Sequence, residues 1–358
     1  MQAIQKSNTE PGLTYLPKAP VPEINTPHDV IVKVKAAGIC GTDVHIYAAK
    51  ASLMNRMGKV LPLTIGHEFC GHIEDMGHGV EGFTKGQFVS AEMHWRCGTC
   101  YNCRTGNGHW CISQTVGGID QPGAFADYVK IPASAIVPLP ASLPVEVAAY
   151  LDAIGNSVYT ARSADVVGKD VAVLGAGPLG ILAVALCRIM GAKKIYVTDI
   201  SDYVLKVAKD EGATEVFNVK DEKQHQEFLK LATSDPDKRG LDVVMEMSGA
   251  TSAYQDAFKT LRMGGDFVLL GLPSGDMSVN FSGDIVLKGI KVHGIFGRRI
   301  FNTWADMLAL LQGEFGDTAR RIVTHHFALK DFERGFQTKL AGEGLKVVLY
   351  PGGLPEGK

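Results

Sequence analysis

A glycine motif in the middle of the chain joins a buried strand to an apolar helix, and it constrains the fold more than any other feature. The segment Gly175-Ala-Gly177-Pro-Leu179-Gly180 follows the apolar run 170–174 and precedes the helical stretch 181–190. In such a motif the first glycine permits a tight turn, the second lets the backbone approach a pyrophosphate, and the third lets the helix pack on the strand. The helix N-terminus adds backbone donors and a positive dipole. The motif therefore predicts a strand–turn–helix unit that binds a dinucleotide.

Short apolar strands alternate with amphipathic helices around this motif, from about residue 160 onward. Residues 170–174, 194–198, 243–247 and 267–270 have the composition of buried strands. This βαβ rhythm is typical of a parallel, doubly wound sheet with helices on both faces. We therefore predict an α/β Rossmann domain over residues 156–296.

Asp199 ends the second strand of this pattern, about 20 residues after the glycine motif. A carboxylate at that position accepts hydrogen bonds from the adenosine ribose, and it repels a 2′-phosphate. The following Ile200 and Ser201 supply no cation to bind such a phosphate. The pattern favours NAD over NADP, although an aspartate at this position could also simply cap a helix.

The rest of the chain has a different, β-rich pattern. The first 150 residues or so alternate β-branched runs such as 30–34 with glycine and proline. After residue 295 the βαβ rhythm stops, and a helical stretch at 304–311 precedes a strand-like ending at 347–350. Since 358 residues exceed what one hydrophobic core usually holds, we predict a discontinuous second domain formed by residues 1–155 and 297–358.

Charge and hydropathy exclude several function classes. The 36 lysines and arginines against 38 aspartates and glutamates give a net charge of −2, with no basic tract for nucleic acid. The apolar run 181–187 is far shorter than the roughly 20 residues that cross a bilayer. The N-terminus lacks a secretory signal, and seven cysteines are an odd number for a disulfide framework. We expect a cytoplasmic protein that binds neither nucleic acid nor membranes.

Four cysteines occur within fifteen residues, in a lobe at about 94–113. Cys97, Cys100, Cys103 and Cys111 provide four thiolates, which is the number that closes a tetrahedral zinc shell. A closed shell has no position for a substrate, so we predict a structural zinc. The spacing is also compatible with an iron–sulfur cluster or with unmetallated thiols.

A second group of metal-binding residue types is chemically mixed. Cys40 precedes Gly41 and Thr42, and the pair His67-Glu68 follows Gly66. One thiolate, one imidazole and one carboxylate form a ligand set that leaves a coordination position open for an alkoxide. Alone, Cys40 would more often be a core thiol and His67 a structural histidine. Their combination with a nucleotide domain predicts a catalytic zinc.

Together these segments resemble the zinc-containing medium-chain alcohol dehydrogenases over essentially the whole chain. The shared motifs are Cys-Gly-Thr-Asp at 40–43, Gly-His-Glu at 66–68, the four-cysteine lobe and the Gly175 motif. Residues 40–47, 247–250, 324–325 and 152 with 155–156 resemble the threonine-oxidising branch. The resemblance implies a GroES-like catalytic domain, NAD, two Zn²⁺ per subunit, and oxidation of L-threonine to 2-amino-3-oxobutanoate.

The resemblance also implies roles for individual residues. Cys40, His67 and Glu68 would bind the catalytic zinc, Asp152 would lie near the metal, and Thr42 and His45 would relay the proton. His94 would lie beside the substrate, although a structural role supporting the lobe fits it equally well. The residues implied along NAD are Leu179, Asp199, Leu270, Gly271, Leu272, Ile295 and Phe296. Which of Glu68 and Asp152 is the more direct zinc neighbour stays open.

Two segments depart from this branch. Val204 stands where an arginine commonly follows the ribose-binding aspartate, and residues 48–60 lack the usual tryptophan-containing loop. Because loops set specificity on a fixed scaffold, the second departure leaves a polyol or short-chain diol as an alternative substrate. A redox-sensing or binding protein on the same scaffold is a non-enzymatic alternative. The resemblance further implies a homo-oligomer, most commonly a tetramer.

Overall fold

The chain folds into two units, which we describe from a computed structural model covering residues 1–273 and 275–357. The first unit comprises Met1–Ala153 and Ala319–Lys358, and the second comprises Ile154–Thr318. Each unit has its own hydrophobic core.

The N-terminal part of the chain is mostly short strands with a few short helices. In chain order these elements are β1 (Ala3–Lys6), β2 (Thr14–Leu16), β3 (Asp29–Gly38), α1 (Gly41–Tyr47), α2 (Ala51–Met57), β4 (Leu63–Thr64), β5 (Phe69–Met76), β6 (Phe88–Ala91), β7 (His94–Trp95), α3 (Tyr101–Arg104), β8 (Thr115–Val116), β9 (Tyr128–Pro132), β10 (Ile136–Pro138), α4 (Val145–Ala148) and α5 (Leu151–Ala161).

The middle of the chain alternates strands and helices, and the C-terminal part returns to the first unit. These elements are β11 (Asp170–Leu174), α6 (Pro178–Ile189), β12 (Lys194–Asp199), α7 (Asp202–Asp210), β13 (Glu215–Asn218), α8 (Glu222–Ala232), β14 (Leu241–Glu246), α9 (Thr251–Thr260), β15 (Leu261–Leu269), β16 (Lys291–Gly294), α10 (Asn302–Leu310), α11 (Glu314–Ile322), β17 (Val323–Ala328), α12 (Phe332–Leu340) and β18 (Lys346–Tyr350).

A seven-stranded sheet organises the first unit. Its strand order is β10-β6-β5-β3-β18-β17, and β9 also pairs with β3. Strand β3 shows why this sequence forms a sheet: Val32 and Val34 face the core, while Lys33 and Lys35 are exposed. Because β18 pairs antiparallel with β3 and parallel with β17, the end of the chain completes the sheet that the beginning starts. The GroES-like part of the predicted fold is thus built from both ends of the chain.

The second unit contains a six-stranded parallel sheet. Its order is β13-β12-β11-β14-β15-β16, so the chain starts in the middle and winds outward in both directions. This is the doubly wound order expected of a dinucleotide-binding sheet. The reversal lies between β11 and β14, next to the turn that carries the glycine motif. The predicted α/β fold class is confirmed.

The second domain boundary lies further along the chain than predicted. We expected residues 297–318 to belong to the β-rich domain, but they fold with the nucleotide unit. Helices α10 and α11 bury Trp304, Met307 and Phe315. Polar contacts join the same segment to the nucleotide unit: Asp306 pairs with Arg162, Glu314 pairs with Arg188, and the Thr318 hydroxyl donates to Glu211. A break in hydrophobic rhythm does not reveal such contacts.

The divergent segment 48–60 is mainly helical. Helix α2 occupies most of it, with Met54 and Met57 buried in the first unit's core. Across residues 1–273 and 275–357, no helix is both long and apolar enough to cross a membrane.

Candidate active site

Cys40 and His67 are brought together by two tight backbone features of the first unit. Cys40 caps the N-terminus of α1, and its backbone N–H donates to Asp43 Oδ2 over 2.8 Å. His67 lies between Gly66 and β5. Position 66 requires glycine, because its φ is +96° and a Cβ there would lie 2.3 Å from the Phe125 ring. The local sequence therefore fixes the direction from which each side chain enters the site.

Cys40, His67 and Glu68 form the mixed cluster that the sequence predicted. One ligand atom from each lies within 4.8 Å of the other two, and His67 and Glu68 are buried. The Glu68 Oε1 atom is buried and receives no hydrogen bond from the described residues. A thiolate, an imidazole and a carboxylate with an unmet negative charge suit a zinc ion that keeps one position open. The donor set therefore fits zinc.

Two charged residues that sequence reasoning missed support this cluster. Asp43 Oδ1 lies 3.5 Å from His67 Nδ1, and the Lys346 ammonium forms an ion pair with Glu68. Lys346 is 3% exposed and also donates to the Ile39 carbonyl over 3.1 Å. Asp43 belongs to the Cys-Gly-Thr-Asp motif, but the sequence analysis gave it no role. Lys346 carries no motif signal, because it lies in β18 at the far end of the chain.

The pKa values in this cluster are set by opposing effects. Burial disfavours the imidazolium of His67, but the Asp43 carboxylate and the Cys40 thiolate raise its pKa well above the usual value. Burial raises the pKa of Glu68, while Lys346 opposes that shift and the Asp152 carboxylate adds to it. Asp152 therefore disfavours the ionised form of Glu68, whereas Lys346 favours it.

The predicted relay residues lie on α1. Thr42 and His45 are three positions apart, so they share one face of the helix. His45 Nε2 lies 2.9 Å from the Nζ atom of Lys50, at the start of the divergent segment. Partial burial and the Lys50 ammonium lower the pKa of His45, so the neutral imidazole is favoured.

His94 and Asp152 are joined by a third residue, Glu92, that the sequence did not single out. One ligand atom from each of the three lies within 4.8 Å of the other two. Glu92 is 2% exposed and Asp152 is 6% exposed, whereas His94 is partly accessible. A lone glutamate two residues before a histidine has no recognisable spacing, which explains why it was missed.

The four lobe cysteines converge as predicted. The Sγ–Sγ distances are 3.5 Å for Cys100–Cys103 and 4.0 Å for both Cys97–Cys103 and Cys100–Cys111. A tetrahedral site with Zn–S bonds of about 2.3 Å separates its sulfurs by roughly 3.8 Å. Hydrogen bonds from Thr99 and from the Cys100 backbone lower the pKa of Cys97 to about 6. The lobe therefore fits a closed, four-thiolate zinc shell.

The glycine motif forms the turn between β11 and α6 in the second unit. A Cβ on Gly180 would lie 1.9 Å from the Gly175 carbonyl oxygen, so the helix can approach the strand only with glycine there. Asp199, at the end of β12, accepts from the Ala176 backbone N–H over 2.7 Å and from that of Ile200 over 2.7 Å. The carboxylate thereby links the second strand to the glycine turn.

The other residues predicted along the dinucleotide follow the carboxyl ends of neighbouring strands in the same unit. The backbone N–H groups of Leu270 and Gly271 donate to the Glu246 carbonyl over 2.9 and 3.1 Å, and that of Ile295 donates to Leu269 over 2.8 Å. The side chains of Leu272 and Phe296 are exposed. These segments lie at the sheet edge where ligands bind in doubly wound folds.

Glu246, which the sequence analysis did not select, organises this edge. Its side chain is buried at the end of β14 and accepts from the backbone N–H groups of Ser248 and Gly249, each over 2.9 Å. Burial raises the pKa of Glu246, and these hydrogen bonds oppose the shift. Its role is to hold the turn that follows β14.

Known proteins match both units. A family model described as an alcohol dehydrogenase GroES-like domain matches residues 26–141, and one described as a zinc-binding dehydrogenase matches residues 178–313. An L-threonine 3-dehydrogenase of Shewanella halifaxensis (strain HAW-EB4) is 39% identical over 349 residues, covering 98% of this chain and 99% of that protein.

Solved structures agree with these matches. An alcohol dehydrogenase from Thermus sp. ATN1 has a TM-score of 0.84 and 28% identity, covering 98% of this chain and 99% of that one. A protein of Sinorhizobium meliloti 1021, solved bound to NADP, has a TM-score of 0.84 and 26% identity with the same coverage. The similarity therefore extends over the whole length of the chain.

Proposed function

The chain belongs to the zinc-binding alcohol dehydrogenases, and from this premise we propose that it oxidises L-threonine to 2-amino-3-oxobutanoate with NAD. The observation that carries the proposal is the cluster of Cys40, His67 and Glu68, in one chain with a dinucleotide-binding glycine turn. The 39% identity to an L-threonine 3-dehydrogenase over nearly the full length supports the choice of substrate.

The chain's own side chains supply the zinc ligands and the proton path. When bound, zinc acts as a Lewis acid toward the substrate hydroxyl and the nicotinamide accepts hydride. The Thr42 hydroxyl would accept the substrate's hydroxyl proton while it gives up its own hydrogen toward His45. The exposed, neutral His45 imidazole is suited to pass that proton to solvent. Asp152 would add a second carboxylate near the cation, and His94 would contact the substrate.

We assign one zinc to the Cys40 cluster and a second, structural zinc to Cys97, Cys100, Cys103 and Cys111. The sulfur distances in the lobe support the second assignment. NAD is preferred over NADP because the Asp199 carboxylate would repel a 2′-phosphate. The predicted residues from Leu270 to Leu272 and from Ile295 to Phe296 line the nucleotide in this proposal.

We also propose a homotetramer and a cytoplasmic location. Strand β16 is the terminal strand on one side of the parallel sheet, and Val292 within it is 45% exposed. An edge strand has unpaired backbone groups with which another copy can pair, and in β16 (Lys-Val-His-Gly) Val292 adds an exposed apolar side chain. None of the seven cysteines, all of which the structure describes, forms a disulfide, as expected in a reducing compartment.

Replacing Cys40 with serine tests the site and the substrate together. We expect the wild-type protein to reduce NAD with L-threonine faster than with butanediol or sorbitol, and to contain two zinc ions per chain. Cys40→Ser should retain one zinc and lose turnover by a factor of roughly 10⁴ or more, since it removes a ligand of the catalytic metal.

The matched control is Cys100→Ser, which removes a thiolate from the lobe instead. It should also lose one zinc, but its main defect should be a lower thermal stability. Wild-type preference for a diol would reject threonine as the substrate. Full activity and two zinc ions in Cys40→Ser would reject the site.

A further inference from the structure

Glu246 is fully buried and bonds to two turns that follow neighbouring strands of the parallel sheet. Its Oε1 atom accepts from the backbone N–H groups of Ser248 and Gly249, each over 2.9 Å, and from the Ser248 hydroxyl. Its backbone carbonyl accepts from the N–H groups of Leu270 and Gly271 over 2.9 and 3.1 Å. One residue therefore holds the turn after β14 with its side chain and the turn after β15 with its backbone.

Tyr254, on α9, adds a second connection to the turn after β15. Its buried hydroxyl donates to the Gly271 carbonyl oxygen. Burial and the neighbouring Glu246 carboxylate raise the pKa of Tyr254 to about 12, so the hydroxyl keeps its hydrogen and stays a donor at neutral pH. Glu246 and Tyr254 thus form one buried polar pair that contacts both turns.

The turn after β14, at residues 247–250, also packs tightly against its neighbours. A Cβ on Gly271 would lie 2.3 Å from the Gly249 backbone nitrogen, and a Cβ on Gly175 would lie 2.8 Å from that of Ser248. This turn is therefore packed between the glycine motif and the turn at 270–272. Because protein interiors are close-packed, a shift of this turn would also move the turns beside it.

The place of these turns in the sheet indicates which part of a dinucleotide they affect. In a doubly wound sheet each half binds one mononucleotide, on either side of the point where the strand order reverses. Asp199, which we propose binds the adenosine ribose, ends β12 in the half formed by β11, β12 and β13. The turns held by Glu246 follow β14 and β15 in the other half, which would bind the nicotinamide mononucleotide.

We infer that Glu246 is a positioning residue for the nicotinamide half of the dinucleotide site, and that it acts through the turns at 247–250 and 270–272. This inference rests on the proposed use of NAD and deepens it. We assign Glu246 no direct contact with the cofactor, because its side chain is buried and bonds to the turn beside it. Its effect is on how tightly the nicotinamide mononucleotide is held, whereas the adenosine mononucleotide binds independently of it.

The test measures the binding of NADH, which needs both halves of the site, and of AMP, which needs only the adenosine half. Glu246→Met keeps an unbranched side chain but leaves the Ser248 and Gly249 N–H groups without their acceptor. In the zinc-loaded protein we expect the Kd for NADH to rise by roughly 10- to 100-fold, the effect of unpaired buried donors, and the Kd for AMP to change by less than about 2-fold. Fluorescence titration measures the first and calorimetry the second.

Two further variants are matched to Glu246→Met. Glu246→Gln retains one acceptor oxygen, so its Kd for NADH should lie between those of Glu246→Met and the wild type. Glu227→Gln, at an exposed glutamate on α8 of the same unit, should match the wild type with both ligands.

Tyr254→Phe is a milder change, because it removes only the hydroxyl that bonds to Gly271. It should weaken NADH binding by roughly 3- to 10-fold, as for the loss of one hydrogen bond, and leave AMP binding unchanged. In the double variant with Glu246→Met the loss should be smaller than the product of the two single losses, since both side chains act on one turn. Equal losses of NADH and AMP binding in Glu246→Met, or unchanged NADH binding in both single variants, would overturn the inference.

These measurements separate the inference from the proposed function. Binding is measured without an alcohol, so the result holds whichever alcohol the protein oxidises. A wild type that binds neither NADH nor AMP would reject the proposed cofactor and the inference with it. A wild type that binds both, with variants that bind NADH equally well, would reject the inference alone.

Discussion

The contact between Lys50 and His45 couples the relay histidine to the divergent segment. The Lys50 ammonium lies 2.9 Å from His45 Nε2, and it disfavours a second positive charge on the ring. Together with partial burial, this cation lowers the pKa of His45. The relay needs the neutral ring as a base, so Lys50 extends activity toward lower pH.

Replacing Lys50 with methionine should therefore shift the pH dependence of turnover. Removing the cation raises the pKa of His45, so more of the ring is protonated at a given pH. The acid limb of the kcat/KM profile should move to higher pH, whereas Lys50→Arg should leave it near the wild-type position. Lys33→Met, an exposed lysine on β3, is the matched control. An acid limb that does not move in Lys50→Met would show that His45 does not control it.

Among individual residues, the sequence predicted the metal ligands better than the charged residues that contact the ligands and the site histidine. Cys40, His67 and the lobe cysteines belong to short motifs whose chemistry is recognisable without a structure. Lys346 and Glu92 belong to no recognisable motif, and the sequence does not distinguish a buried lysine or glutamate from an exposed one. Their significance depends on burial and on partners, and for Lys346 that partner is Glu68, which lies on a distant part of the chain.

At the scale of elements, Asp199 connects the end of β12 to the glycine turn before α6, and it carries the charge that we propose favours NAD. Asp199 accepts from the Ala176 backbone N–H in the glycine turn and from those of Ile200 and Ser201 after its own strand. These bonds hold its charge at the end of β12, where the ribose of a dinucleotide would bind.

Asp199→Asn should change the cofactor preference. The amide keeps the size of the side chain but loses the charge that repels a 2′-phosphate and strengthens bonds to ribose hydroxyls. We expect kcat/KM for NAD to fall by about 10- to 100-fold, as for the loss of a charged hydrogen bond, while use of NADP rises. Steady-state rates with both cofactors measure the ratio, and Asp210→Asn, exposed at the end of α7, is the control. An unchanged ratio would contradict the assignment of Asp199.

Elements inside the βαβ rhythm were predictable, whereas outside it one helix was missed and the domain of two others was misassigned. Strand β11 coincides with the predicted residues 170–174, and β12 extends the predicted 194–198 by only one residue. Helix α2 was not expected in the segment 48–60; Met54 and Met57 are buried in the core there, and Leu53 packs against it. Helices α10 and α11 were assigned to the other domain because the βαβ rhythm stops before them, although ion pairs join them to the nucleotide unit.

At the scale of the whole molecule, the two units divide the chemistry between them. The first unit holds both metal-binding clusters, and the second holds the glycine turn with Asp199 and Glu246. The chain enters the first unit, leaves it after Ala153 and returns at Ala319. The β-rich unit therefore cannot be completed until the nucleotide unit has been synthesised, because β18 pairs with β3.

The terminal strand β16 provides a test of the proposed assembly. Val292 is 45% exposed there, and the preceding Phe281, Val286 and Leu287 are also exposed large apolar side chains. A lysine on an edge strand opposes pairing with another strand. We expect light scattering to give the mass of four 38.4 kDa chains for the wild type and a smaller mass for Val292→Lys. Val167→Lys, at a valine that is 65% exposed elsewhere in the same unit, should keep the wild-type mass. If both variants keep the wild-type mass, β16 does not form the contact between copies. If the wild type itself has the mass of a single chain, the proposed homotetramer is wrong.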